Sequence, residues 1–144
     1  MTPLRVLGDP KLDADHDEFA RHIDALGAAR GREALDALRA LRAHVAEHFA
    51  VEDVELRQMK DGNAACHIDE HAAVLRSLAE VDEILEQAPE AESSDELKEA
   101  LVAELMRWLP HHVEAMDAAV AHFRAKRRLG GAPVVLTRPS RSAA

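Results

Sequence analysis

Residues able to ligate a metal interrupt the apolar stripe of every amphipathic helix that this sequence can form. A first segment carries Leu12, His16, Phe19, Ile23 and Leu26, spaced four, three, four and three. A second carries Leu38, Leu41, Val45, His48, Glu52 and Met59, and a third His67, His71, Val74, Leu78, Val81 and Leu85. The fourth runs Leu97, Leu101, Leu105, Trp108, His112, Ala115 and Ala119. Apolar residues at these intervals line one face of a helix. His16, His48, Glu52, His67, His71 and His112 therefore stand where the stripes otherwise place Leu, Val, Ile or Phe.

A single histidine in such a stripe is ordinarily a core residue satisfied by one hydrogen bond. Contributions from all four segments weaken that account with each addition. Burying a neutral polar group without a partner costs roughly 1–3 kcal/mol, and an unpaired charge costs more. Five imidazoles with their carboxylates would together rival a domain stability of about 5–15 kcal/mol. A shared metal cation satisfies them together, because imidazole and carboxylate lone pairs can converge on one point.

The chain around these residues reads as one all-α domain. Its 144 residues suit a single core, and with 3% aromatics and no tyrosine a sheet is disfavoured. Four amphipathic segments with short connections predict an up-down-up-down four-helix bundle. We expect an N-terminal arm over 1–11, the bundle over 12–128 and a mobile or loosely packed tail over 129–144. Asp13 or Asp15 could cap the first helix, and Ser93 with Glu96 forms a capping box for the fourth. Pro110 should kink that last helix near its histidines.

A net charge of -9 argues against nucleic acid and anionic membranes as partners. No apolar run is long enough to span a bilayer, and the N-terminus lacks the apolar region of a signal peptide. A lone cysteine, Cys66, excludes an internal disulfide. These features lead us to expect a soluble cytoplasmic protein without a separate signalling domain. Oligomeric state is not legible, and a monomer is compatible with the sequence.

Spacing supports shared coordination for two pairs. His48 and Glu52 are four apart, as are His67 and His71, so each pair shares a helical face. His112 and Asp117 are five apart, roughly 140° round an ideal helix, and both cannot point straight inward. They could flank a centre from two sides if Asp117 reaches across the bundle.

From about Leu12 to Phe123 these residues resemble the hemerythrin family. Leu12-Asp13-Ala14-Asp15-His16 is similar to its first-helix motif, and His48-Phe49-Ala50-Val51-Glu52-Asp53 to its second. His67-Ile68-Asp69-Glu70-His71 matches the third-helix histidine pair. Trp108-Leu109-Pro110-His111-His112-Val113, with Asp117 beyond, resembles the last motif. The resemblance implies two non-haem iron ions about the middle of the bundle, bridged by Glu52, Asp117 and a hydroxide or oxide. His67, His71 and His112 would complete one iron, while His16 and His48 would serve the other and leave it an open position. Two ferrous ions, two carboxylates and a hydroxide would leave a single positive charge.

The implied activity is reversible dioxygen binding, for storage, delivery or sensing, in a closed and mostly apolar pocket that limits autoxidation. Phe19, Phe49 and Trp108 are candidates for its lining, beside a plainer role as core filler. Two other functions stay open: an enzyme handling peroxide or nitric oxide, and an iron sensor or reservoir whose fold depends on metal. The enzymatic reading is motivated by His44, one turn before His48, by Glu114, two residues past His112, and by the other extra histidines. His44 is expected near the His48 face, as a donor to a ligand, an alternative ligand or a partly exposed residue. Glu114 is read first as a solvent-facing glutamate and second as an acid beside the pocket. His22 is expected at the surface, His111 facing away from the centre, and His122 structural or solvated. Cys66 is expected as a small buried hydrophobe rather than a redox group.

Overall fold

The computed structural model describes residues 2–130; the tail expected to be mobile or loosely packed lies outside them from residue 131 onward. Helices α1 (Pro10–Ala28), α2 (Arg32–Gln58), α3 (Ala64–Gln87) and α4 (Glu92–His112) are joined by short loops over 29–31, 59–63 and 88–91. The α4 helix passes through a π-helical turn, Val113–Asp117, directly into α5 (Ala118–Arg128), so these three pieces form one arm. Loops this short make successive arms antiparallel neighbours. The α1 helix packs on α2 and α4, and α3 on α2 and α4, closing an up-down-up-down bundle. The described residues contain no strand, and none of their helices is long and apolar enough to cross a membrane.

The helix starts differ from the sequence expectation. Asp9, not Asp13 or Asp15, caps α1: its carboxylate accepts from the Leu12 N–H at 2.9 Å, with Pro10 at the first helical position. Asp13 instead accepts from the Leu7 and Gly8 N–H groups and folds the N-terminal arm back on the helix. The α4 helix begins before Ser93, with Ala91 at its cap and no side-chain cap bond, so the Ser93–Glu96 box does not form. Glu90 serves another helix, accepting from the Arg32 N–H at the start of α2. Gly31 makes room for it: a Cβ there would fall on the Glu90 carboxylate, and its φ of 58° already favours glycine.

The apolar stripes face inward almost as spaced. Phe19, Ile23, Leu26, Leu35, Leu38, Leu41, Leu78 and Leu85 join a leucine-rich core at one end of the bundle, and Leu12, Leu56, Ala64, Val120 and Ala121 form a smaller floor at the other. Met59 and Leu97 are only half-buried, and Ala115 is exposed because the π turn shifts the register of the last arm. Below the floor, Arg124 pairs with Glu55 at 2.6 Å and with Asp9 at 3.5 Å, tying α5 to α2 and to the α1 cap.

Lys98 is buried on the inward stripe of α4, three residues before Leu101, although its residue type would not suggest it. Its ammonium donates to the carbonyls of Gly27 (3.2 Å) and Ala29 (2.8 Å), which end α1, and to the Glu99 carboxylate (2.8 Å). Cations favour helix C-termini, where carbonyls lack intrahelical partners. Lys98→Ala strands those carbonyls and should cost about 2–3 kcal/mol. Urea unfolding should show a lower midpoint with an unchanged slope.

Candidate metal centre

The two central carboxylates each offer one oxygen to one set of histidines and the other oxygen to a second set. On one side Glu52 Oε2 lies 3.2 Å from His71 Nε2, and Asp117 Oδ1 lies 2.9 Å from His67 Nε2 and 3.1 Å from His112 Nε2. On the other side Asp117 Oδ2 is 2.8 Å from His16 Nε2, and Glu52 Oε1 is 3.3 Å from His48 Nε2. Two donor groups result, each able to hold a metal ion: Glu52, His67, His71, His112 and Asp117, and His16, His48, Glu52 and Asp117. All these residues are buried, between the leucine-rich core and the smaller apolar floor. The structure thus brings together every residue that the sequence singled out as a ligand.

Asp117 reaches the centre by a route that ideal helix geometry excludes. The π turn over Val113–Asp117 widens the helix, and its i→i+5 closure brings residues five apart onto one face. Both His112 and Asp117 therefore point inward from the same arm, rather than flanking the centre from two sides. Pro110 lies inside α4 three residues before this turn, and the arm continues through both as helix.

Hydrogen bonding within the cluster is conspicuously incomplete. Both ring nitrogens of His16, both oxygens of Glu52 and Asp117 Oδ1 are buried without a hydrogen-bond partner. Their close approaches to neighbours are lone pairs gathered around a common point, not aligned donors and acceptors. The outer nitrogens explain why. His71 Nδ1 lies 2.7 Å from Asp53 Oδ1, and His112 Nδ1 lies 2.9 Å from Glu70 Oε1. A carboxylate there draws the imidazole proton to Nδ1 and leaves Nε2 with its lone pair. Those two Nε2 atoms stand 3.3 Å apart, and His112 Nε2 is 3.2 Å from His67 Nε2. With both Nδ1 atoms of His71 and His112 protonated, their facing Nε2 lone pairs repel, and a cation between them reverses the sign. The donor set fits a metal.

The electrostatics of the cluster pull in both directions: burial lowers His112, but its contacts with Asp117 and Glu70 outweigh that and raise its pKa. Burial raises the Asp117 carboxyl, but the surrounding imidazoles of His112, His16 and His67 outweigh it and hold the group well below the usual carboxylate range. Burial likewise opposes ionisation of Glu70, yet the His112 and Trp108 contacts bring it lower than an ordinary glutamate. For His48, burial dominates and lowers its pKa, against the pull of Glu52, favouring the neutral imidazole that a metal requires.

Asp53 and Glu70 are functional positions that a reading for ligands passes over. Each is a direct chain neighbour of a ligand, Asp53 of Glu52 and Glu70 of His71. Asp15 plays a weaker version of the role, with Oδ2 3.4 Å from His48 Nδ1. Trp108 fixes Glu70 by donating its indole N–H at 2.7 Å, and stacks on His112 with ring centroids 4.3 Å apart. Phe49 lies flat on His71 at 3.8 Å, with Phe19 and Trp108 packed beyond it. The aromatic residues thus seal the side of the three-histidine group.

The remaining candidates fall outside the cluster. Glu114 faces solvent and pairs with Arg5 at 3.6 Å, so it is no acid beside the centre. His111 and His122 are exposed, as expected. Cys66 is exposed rather than buried, since it precedes the inward-facing His67 by one residue, about 100° round the helix. His44 is half-buried and donates no ligand to the centre; it lies parallel to His48 with centroids 6.1 Å apart.

A closed four-helix bundle with a buried polyhistidine cluster shared by two carboxylates defines a metal-binding helical protein. The family model for the hemerythrin HHE cation binding domain matches residues 7–122, and the chain belongs to the hemerythrin family. It is 32% identical over 121 residues to a bacteriohemerythrin of Ralstonia nicotianae, a match covering 84% of this chain and 85% of that protein. No solved structure matches the chain at a significant level.

Proposed function

We propose that the chain binds dioxygen reversibly at a non-haem di-iron centre held by His16, His48, Glu52, His67, His71, His112 and Asp117. The observation that supports this reading best is the division of oxygens, with one from each carboxylate turned to each histidine set. Carboxylates divided in this way would hold two ions rather than chelate one, and mixed imidazole and carboxylate donors suit iron. When bound, a pair of ferrous ions supplies an open coordination position for dioxygen and the two electrons that it takes up and returns.

The chain's own residues assign the two sides different tasks. The three-histidine group offers five protein donors and the two-histidine group four, so a small ligand has more room beside His16 and His48. A cavity of about 380 Å³, lined by His44, His48, Asp15 and Glu47 among others, provides an approach to that side. Asp53 and Glu70 hold the Nδ1 protons of His71 and His112, fixing ring orientation and adding negative charge around the cations. Phe49 and Trp108 keep water from the other side by covering His71 and His112. With Glu114 in solvent, one of the motives for peroxide turnover is gone, which favours reversible binding.

The test is an oxygenation cycle on iron-loaded protein. Anaerobic reduction followed by oxygen should produce a visible absorption band that fades under argon and returns in air over repeated cycles. One-way oxidation without recovery under argon would overturn the reading.

A further inference from the structure

We propose that Glu18, His22 and His44 form a separate metal site at the protein surface that takes one divalent first-row transition cation. Glu18 and His22 stand one turn apart on α1, and His44 faces them from the antiparallel α2. The Glu18 carboxylate is placed between the two imidazoles: Oε1 is 3.6 Å from His22 Nε2 and Oε2 is 3.6 Å from His44 Nδ1. Both separations are too long for hydrogen bonds. One donor atom from each of the three residues lies within 4.8 Å of the others.

The protonation of His44 is set by its far nitrogen. Nε2 lies 3.0 Å from the Asp15 carbonyl oxygen, which can only accept, so Nε2 carries the proton. Nδ1 is left as the nitrogen that faces the Glu18 carboxylate, so the two offer a cation one donor atom each. The same device, an imidazole proton held on one nitrogen so that the other can ligate, orients the histidines of the buried centre.

Position and charge favour a cation. The three residues line the mouth of the cavity that extends to His48, together with Asp15 and Glu47. Of the two bases there, Lys11 is bound to Asp15 at 2.6 Å and Arg124 to Glu55 at 2.6 Å. Two imidazoles and a carboxylate suit zinc, cobalt, nickel or ferrous iron, with water completing the shell. Ligand bonds of about 2.0–2.2 Å require the donors to draw slightly closer, and Glu18, which is half-exposed, is free to do so.

The site shares no donor with the buried centre, so metal at the two can be counted separately. Iron-loaded protein is dialysed to equilibrium against Zn²⁺, and bound zinc and iron are counted. Wild type should take up one zinc per chain beyond its iron. Glu18→Gln, at an exposed position, and His22→Asn, at a half-buried one, should each weaken that uptake by about tenfold or more. Iron content and visible absorption should stay unchanged in both. No additional zinc in wild type, or uptake equal in wild type and both variants, would overturn the proposal. Repeating the titration with Glu52→Ala protein separates the sites, since surface uptake should persist when the buried centre is impaired.

Discussion

Glu52→Ala should strip the protein of most of its metal, whereas His16→Ala should remove about half. Glu52 gives one oxygen to each histidine set, so its loss opens both groups at once. His16 belongs only to the two-histidine group, and the other group keeps five donors without it. Metal analysis of the two purified variants beside wild type checks the expectation. Two irons retained in Glu52→Ala would contradict the bridging assignment, and equal losses in both variants would contradict the division into two groups. Glu52→Gln is the companion variant, because it keeps the packing of a side chain with no solvent exposure while removing the charge.

Removing the metal should lower stability by a large margin. The cluster buries His16, Glu52 and Asp117 atoms that have no protein partner. Protonation can satisfy only part of such a set, so the metal-free chain bears desolvation costs that the loaded chain does not. A ligand present at about a thousand times its dissociation constant stabilises the folded state by about 4 kcal/mol. For a domain of this length that corresponds to a rise in Tm of roughly 10 °C or more. Thermal unfolding followed by circular dichroism, with and without a chelator that has first emptied the centre, measures it. Unchanged melting would show that the cluster is satisfied without metal.

The same cluster shows how far amino-acid order alone reaches. Leu12, His16, Phe19, Ile23 and Leu26 are all buried, as their spacing requires, because a helix of regular pitch cannot place them elsewhere than on one face. The i,i+4 pairs His48–Glu52 and His67–His71 point inward for the same reason. Local periodicity therefore determined the all-helical bundle and most of the polar seam. Asp117 came only from family resemblance, because regular pitch sends it away from His112.

Tertiary structure decided what pitch and spacing leave open. The π turn set Asp117 beside His112 and exposed Ala115, an outcome governed by local unwinding after Pro110 that no fixed period describes. Asp53 and Glu70 acquired their partners across helices, from α2 to α3 and from α3 to α4, so neither role exists within a single segment. Lys98 is buried because the end of α1 presents carbonyls to it from another arm. Helical spacing suffices for a bundle whose seam is able to ligate metal. Packing alone decided which carboxylate oxygen faces which histidine, since that depends on distances between arms far apart in the chain.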